Sequence, residues 1–345
     1  MTERSRHPRR LLVTAVVIGF TLIPLQAAAD GKFEFVSPLF GLAATGGGSL
    51  LVADAGAGIV EVQGDDLRLL TELPGLSDVD PIGNGAMWAV GGAGNWGVYQ
   101  VNRNRTRQIA DLLEFETAAN PHPLEVDSNP FDIEAGPHGG ALVADAGGNT
   151  LLSVDNRGNV DWLVVLPDEL VSTANLKGLA GCPNPVEGFE FACELPDMMP
   201  AQGVATSVAI GPDGAYYMGE LKGFPAPTGE SRIWRVDPSA HHVECGTSPL
   251  CTVVADGGFT SIVDLVFGPE GLYVTEIDEA SWAAVEFGLG AVGGTVNLCN
   301  ITTWDCSVVA TGLDIPIATA VTPSGDVFTA LSGLISGVGE IVELP

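Results

Sequence analysis

The chain has 345 residues and a formal net charge of −29, with 14 Lys and Arg residues against 43 Asp and Glu residues. This charge excludes a general nucleic-acid-binding protein, because phosphate contacts need clustered Lys and Arg, and it argues against docking on anionic membranes. A hydrophobic content of 46% excludes a disordered acidic protein, and 45 Gly with 23 Pro favour short strands over a helical bundle. We expect one large all-β domain over residues 30–345.

Residues 1–29 have the pattern of a secretory signal peptide. Four Arg residues precede an apolar stretch from Leu11 to Leu25, and Ala27 to Ala29 offer a small-residue cleavage site. The alternative is a retained membrane anchor, but the stretch is shorter than the ~20 residues that a spanning helix needs. We expect an exported protein, extracellular or periplasmic, with no membrane contact after cleavage.

Six similar segments along the chain each predict a β-hairpin. Each segment has an apolar run, a turn that often contains Pro and Gly, and a second apolar run. The turns begin at Thr45, Ile82, Gly136, Gly211, Gly268 and Thr322. A second pair of strand-like segments follows most copies, which predicts a six-bladed β-propeller with four-stranded antiparallel blades. A jelly roll or an immunoglobulin-like sandwich would not need six like hairpins.

The last copy has only three strand-like segments, ending at 340–345. The segment Phe33 to Ser37, near the other end of the chain, resembles the fourth-strand segment at 251–260 of an earlier copy. We therefore expect Phe33 to Ser37 to form the outer strand of the last blade. That pairing would place both ends of the domain in one sheet and remove an open seam.

The six cysteines agree with export into an oxidising compartment. They form three couples that are close in sequence, and we expect three local disulfides: Cys182–Cys193, Cys245–Cys251 and Cys299–Cys306. A zinc cluster is the alternative, but no C-x-x-C spacing or suitably spaced His accompanies the couples.

One face of the predicted propeller should carry the ligand site. The first strand of each blade leaves this face and the second strand returns to it, so the ends of the second strands lie there. We predict that the ligand face carries Asp54, Asp145, Glu220 and Glu276, together with the loop residues His122, Trp96, Phe224 and Trp282.

The starts of the first strands lie nearest the central axis. The six equivalent positions there are Gly41, Asp78, Asp132, Ser207, Asp264 and Ala318. The three Asp residues would form an acidic mouth, and carboxylate oxygens are suitable ligands for Ca²⁺. The alternative is that these carboxylates cap nearby backbone N–H groups. Calcium at Asp78, Asp132 and Asp264 is the one cofactor that we consider.

No motif for catalysis is recognisable. The sequence contains no P-loop, H-E-x-x-H or G-x-S-x-G motif. Two G-x-G-x-x-G segments, at 92–97 and 288–293, are each followed by a predicted strand. A dinucleotide site would need such glycines to begin a helix, so we interpret them as turn residues. With none of these motifs present, we predict no catalytic residue.

Three segments resemble known families. Residues 143–160 (VADAGGNTLLSVDNRGNV) resemble the NHL-type repeat, and residues 206–238 and 259–277 resemble the ScyD/ScyE family of exported proteins. That family is similar to TolB-like six-bladed propellers, so the resemblance implies the same fold. The family name comes from gene clusters for the pigment scytonemin, but the resemblance implies no catalytic residue and no role in pigment synthesis.

Two functions are compatible with these observations. The first is a secreted, monomeric propeller that binds a small molecule or a protein on its ligand face without catalysis. The alternative is a Ca²⁺-dependent hydrolase of the lactonase or esterase type, acting at the channel mouth. Six-bladed lactonases of similar architecture hold calcium with Asp, Glu and Asn. The six equivalent positions here contain no Asn, which favours binding.

Overall fold

A computed structural model describes residues 33–36, 38–92, 94–102, 105–123 and 126–345. The predicted signal segment 1–29 lies outside these residues. Six small antiparallel sheets follow one another along the chain and form a six-bladed β-propeller, which confirms the predicted fold class. In each sheet the strand earliest in the chain is innermost.

The first three blades contain twelve strands. Blade 1 consists of β1 (Leu39–Ala44), β2 (Leu50–Asp54), β3 (Gly58–Gln63) and β4 (Asp66–Glu72). Blade 2 consists of β5 (Leu76–Gly83), β6 (Ala86–Gly91), β7 (Gly97–Asn102) and β8 (Arg105–Asp111), followed by helix α1 (Leu112–Ala119). Blade 3 consists of β9 (Pro130–Ala135), a 3₁₀ turn (Pro137–Gly139), β10 (Ala141–Asp145), β11 (Thr150–Val154) and β12 (Val160–Val165).

An insertion separates blades 3 and 4. It contains a two-stranded sheet and two short helices: β13 (Glu169–Ser172), α2 (Ala174–Leu179), α3 (Glu190–Cys193) and β14 (Met198–Ala201). The Cys182–Cys193 disulfide joins the segment after α2 to the end of α3. Side chains of the insertion, including Leu176 and Phe189, pack against Phe224 and Trp282 from the loops of blades 4 and 5.

The remaining blades complete the ring. Blade 4 is built from β15 (Ala205–Ile210), β16 (Tyr216–Glu220), β17 (Ser231–Val236) and β19 (Cys251–Phe259), while the short β18 (Val243–Glu244) pairs with β12 of blade 3. Blade 5 consists of β20 (Ile262–Gly268), β21 (Gly271–Glu276), α4 (Trp282–Glu286), β22 (Gly294–Cys299) and β23 (Cys306–Leu313). Blade 6 consists of β24 (Ala318–Val321), β25 (Val327–Leu331) and β26 (Glu340–Glu343).

The hydrophobic core lies between the blades. Alternate side chains of a strand point to opposite faces of its sheet, so each blade buries apolar residues against both neighbours. Each of the six junctions has its own apolar cluster; at the junction of blades 2 and 3, for example, Trp88 packs near Ile133 and Val143. The innermost strands contact one another in cyclic order, including β24 with β1. The ring is therefore closed by packing around the axis.

The predicted outer strand of the last blade is wrong. Blade 6 has three strands, and residues 33–36 form none; Ser37 lies outside the described residues. The backbone groups of Val36 have other partners: its N–H donates to Asp54 Oδ2 at 2.6 Å, and its carbonyl accepts from Gly337 N at 3.2 Å. The segment instead packs Phe33 and Phe35 against the cluster between blades 6 and 1.

The three predicted disulfides are confirmed. Cys182–Cys193 closes the insertion loop, while Cys245–Cys251 and Cys299–Cys306 lie before the outer strands of blades 4 and 5. Such bridges fit an oxidising environment. Among the described residues, the helices are short and none could cross a lipid bilayer.

Candidate functional site in the central channel

The innermost strand of a propeller blade has one edge that no other strand covers. Backbone N–H groups on this edge need acceptors. Here carboxylates from the preceding blade supply them: Ile133 N donates to Asp78 Oδ2 at 2.9 Å, and Ala135 N donates to Asp80 Oδ2 at 2.8 Å. Two aspartates of β5 thus hold the free edge of β9.

The same contact recurs at two further junctions. Val208 N on β15 donates to Asp132 Oδ2 at 2.5 Å, and Thr319 N on β24 donates to Asp264 Oδ2 at 2.5 Å. The three aspartates predicted for the mouth therefore do accept backbone hydrogen bonds, both from the next blade and from the following residue of their own strand. A carboxylate that uses one oxygen in this way still has a second oxygen with lone pairs.

These carboxylates line a cavity of about 310 Å³ that is formed by all six innermost strands. Five acidic side chains line it: Asp78, Asp80, Asp132, Glu134 and Asp264. None of the described lining residues is Lys, Arg or His. The cavity therefore concentrates negative charge inside protein walls, where the field is strong.

Burial makes these carboxyl groups hold their protons to unusually high pH. It raises the pKa of Asp264 to about 8 and that of Asp80 to about 7, and the charge of Asp132 acts in the same direction on both. Burial, then the charge of Asp132 and a hydrogen bond to its side chain, raise the pKa of Asp78 well above its ordinary value. Near neutral pH Asp80 and Asp264 therefore keep their protons for part of the time, which reduces the negative charge of the cluster.

A glycine makes room for one of these side chains. Gly41 on β1 is the blade 1 equivalent of Asp78. A Cβ atom on Gly41 would lie 2.0 Å from Asp78 Oδ1 and 2.6 Å from Asp78 Cα, distances far below van der Waals contact. Asp78 thus occupies the space that a side chain from blade 1 would need.

Apolar side chains complete the cavity wall. Phe40 and Phe131 directly precede Gly41 and Asp132, and their rings meet edge to face with centroids 6.1 Å apart. Leu42, Val208 and Ile317 are among the aliphatic lining residues. The cavity therefore combines an aromatic pair with a row of carboxyl groups.

The carboxylates at the ends of the second strands, which were predicted to lie on the ligand face, are buried. Asp54, Asp145 and Glu220 are at most 1% exposed and Glu276 is 8% exposed. Three of them hold the segment that enters their own blade: Asp54 accepts from Val36 N, Asp145 from Asn129 N and Glu276 from Thr260 N. None of the four lines the cavity. Their role here is to fix the connections between blades.

Glu220 belongs to a buried charged network instead. The side chain of Lys222 is fully buried and pairs with Glu220 and with Glu169 of the insertion. Arg232 also pairs with Glu169, and Trp234 Nε1 donates to Glu220 Oε2 at 2.7 Å. These contacts fasten the insertion to blade 4.

The four predicted loop residues also have structural partners. His122 is 7% exposed, with Nε2 3.2 Å from Asp168 Oδ1. Trp96 Nε1 donates to Ser128 O at 2.7 Å, and Trp282 Nε1 donates to Lys222 O at 3.0 Å. Phe224 packs beneath the insertion. None of these residues lines the central cavity.

The sequence reasoning missed Asp80 and Glu134. Each lies two residues after a predicted aspartate on the same strand, so it points to the same side of the blade. The period of two was the available signal.

Solved structures of similar shape support the fold. A protein of unknown function from Bacteroides thetaiotaomicron is 11% identical with a TM-score of 0.57, over 90% of this chain and 70% of that one. Regucalcin from Agrobacterium tumefaciens, described as a calcium-binding protein, is 12% identical with a TM-score of 0.54, over 90% and 92% of the two chains.

The PQQ-bound aldose sugar dehydrogenase from Streptomyces coelicolor is 14% identical with a TM-score of 0.51, over 90% of this chain and 96% of that one. No family model and no curated protein sequence matches the chain. At such low identities, the similarities establish the propeller fold alone.

Proposed function

We propose that this protein is an exported β-propeller that binds a small cation in its central channel, and that this cation is Ca²⁺. One observation carries the proposal. Five carboxyl groups line the cavity enclosed by the six innermost strands, and no basic residue is among the described lining residues. Hard oxygen ligands of this kind suit Ca²⁺. A bound cation would offset both the burial and the mutual repulsion that raise the pKa values of the cluster.

Export is part of the proposal. The pattern of residues 1–29 and the three disulfides both support it. The resemblance of residues 206–238 and 259–277 to the ScyD/ScyE family of exported proteins points the same way. We propose that the exported protein is a monomer.

Calorimetric titration tests the cation site. Chelator-treated protein is titrated with CaCl₂ at pH 8 and at pH 5.5, and we expect tighter binding at pH 8 because fewer protons compete. An Asp132→Asn/Asp264→Asn double variant should lose the binding heat, whereas Asp66→Asn, an exposed aspartate on β4, should retain it. Absence of heat with the wild type, or equal binding by the double variant, would disprove the calcium site.

A hydrolase remains the second candidate, and one observation favours it. The pKa values of Asp80 and Asp264, about 7 and about 8, lie in the range that suits general acid and base catalysis. Assay of a lactone and ester panel, with and without Ca²⁺, separates the candidates. Turnover that disappears in Asp264→Asn would establish the hydrolase, and calcium binding without turnover would support a binding protein.

A further inference from the structure

Two adjacent histidines meet an aspartate on the outer surface of the propeller, and the aspartate lies 80 positions before the first histidine in the chain. His241 Nε2 lies 2.8 Å from Asp161 Oδ2, and His242 Nε2 lies 2.8 Å from Asp161 Oδ1. One ligand atom from each residue lies within 4.8 Å of the other two. The side chains are about half exposed, at 59%, 47% and 46% for His241, His242 and Asp161. Solvent and ions therefore reach all three groups.

The backbone holds the histidines in place. They belong to the loop between β17 and β19 of blade 4, which crosses to the edge of blade 3, where β18 pairs in parallel with β12. Before the histidines, Ala240 is buried in the core cluster between these blades. After them, Cys245 N donates to Val165 O at 3.0 Å, and Cys245 is bonded to Cys251. The loop is thus fastened on both sides of the pair.

Contacts with neighbouring groups also hold the side chains of the two histidines and of Asp161 in place. The ring of His242 stacks on Trp162 with centroids 4.5 Å apart and planes 11° apart. The His241 and His242 rings lie 3.9 Å apart. Asp161 is fixed from its own strand, since Trp162 N donates to Asp161 Oδ1 at 3.0 Å. Little side-chain freedom would be lost when a ligand bound to all three groups.

We propose that Asp161, His241 and His242 bind a first-row divalent transition metal ion, with Zn²⁺ as the probe. Two imidazole nitrogens and one carboxylate oxygen suit Zn²⁺, whereas Ca²⁺ prefers oxygen ligands alone. Each Nε2 donates to an Asp161 oxygen when no metal is bound, so its proton must be released to solvent before Nε2 can bind the ion. The neutral imidazole then keeps its one proton on Nδ1. Water completes the coordination, because three protein ligands leave a position open.

The site joins two blades. Asp161 belongs to β12 of blade 3, and both histidines belong to blade 4, so a bound ion would fasten the outer edges of these blades to each other. An ion that binds only the folded protein raises its stability. The site does not depend on the channel carboxylates, which lie on the innermost strands.

Calorimetry with ZnCl₂ on the full chain tests this site. We expect about one ion per chain, and a loss of affinity of at least tenfold in each of His241→Ala, His242→Ala and Asp161→Asn. The matched control is His138→Asn, an exposed histidine in the 3₁₀ turn of blade 3, which should bind like the wild type. Asn suits the left-handed backbone of this position, where φ is 60°.

Two further measurements separate this site from the channel. The Asp132→Asn/Asp264→Asn variant should bind Zn²⁺ as the wild type does, and CaCl₂ should not displace Zn²⁺. Zinc should raise the melting temperature of the wild type but not that of His241→Ala/His242→Ala. Zinc affinity unchanged in both single histidine variants, or lost in the channel variant, would overturn the proposal.

Discussion

Asp264 shows how burial in the channel ties stability to pH. Its pKa is raised from the ordinary 3.8 to about 8. Between about pH 4 and pH 8 the folded protein therefore holds a proton that the unfolded chain has released, so the free energy of unfolding falls as pH rises through this window. Full stabilisation is present below about pH 4 and is lost above about pH 8.

We expect Asp264→Asn to make the stability curve flatter, because an amide does not titrate. Urea denaturation of the wild type and the variant at pH 4.5, 6 and 8 measures the difference. Asp66→Asn, at an exposed position, is the control and should keep the slope of the wild type. Parallel curves for Asp264→Asn and the wild type would show that Asp264 titrates normally.

Gly41 affects stability because Asp78 fills the space next to its Cα atom. Gly41→Ala would place a Cβ atom against both the side chain and the backbone of Asp78, and one of the two strands must shift. We expect a loss of about 1 to 3 kcal/mol in the free energy of unfolding. Gly46→Ala, where a Cβ would meet nothing within 4 Å, should change stability little. Equal stability of the two variants in denaturant titrations would refute this account.

At the scale of elements, the segment Phe33–Val36 contributes packing without forming a strand. Its two phenylalanines are partly buried against the cluster between blades 6 and 1. Deleting residues 33–36 should lower the free energy of unfolding by about 2 to 4 kcal/mol, given the apolar area that two phenylalanines bury.

Scanning calorimetry of the deletion variant measures this loss. A full-length Phe33→Ala/Phe35→Ala variant separates the packing from the backbone hydrogen bonds of Val36, and we expect it to account for most of the effect. A melting temperature unchanged by the deletion would mean that the segment is only a tail.

The hairpins could be predicted from the sequence because two local signals agree in them. Strand alternation and turn residues such as Pro212 and Gly214 act within a few residues. The role of Phe33 to Ser37 could not be predicted in this way. An apolar pattern does not show where backbone groups bond, and Val36 N is bound by Asp54, a residue 18 positions away.

The candidate site was predictable in part for the same reason. Asp78, Asp132 and Asp264 were predicted from their equivalent places on three first strands, and all three line the cavity. The burial of Asp54 and Glu220 was not predictable. It depends on the connections between blades and on Lys222, which lies in the loop after β16 and pairs with Glu220. No repeat pattern specifies these contacts.

At the scale of the whole molecule, the net charge of −29 produces self-repulsion. Salt screens such repulsion over a distance of about 10 Å at 0.1 M. We therefore expect the melting temperature to rise by several degrees between about 10 mM and 500 mM NaCl.

Tetramethylammonium chloride at equal ionic strength is the control for specific sodium binding in the channel, since screening depends on charge alone. The two salts should stabilise the protein about equally. A melting temperature that falls with either salt would contradict the dominance of general repulsion.

Blades 6 and 1 pack against each other but have no strand in common, and this has a mechanical consequence. Among the described residues, Leu39 N to Gly333 O and Gly337 N to Val36 O are backbone hydrogen bonds that cross their junction, and no strand of blade 1 lies in the sheet of blade 6. When the chain is pulled from its two ends, the load falls first on this junction. We expect the contacts between blades 6 and 1 to break first, while the other five junctions stay intact. The blades should then unfold one by one, starting from the two ends of the chain.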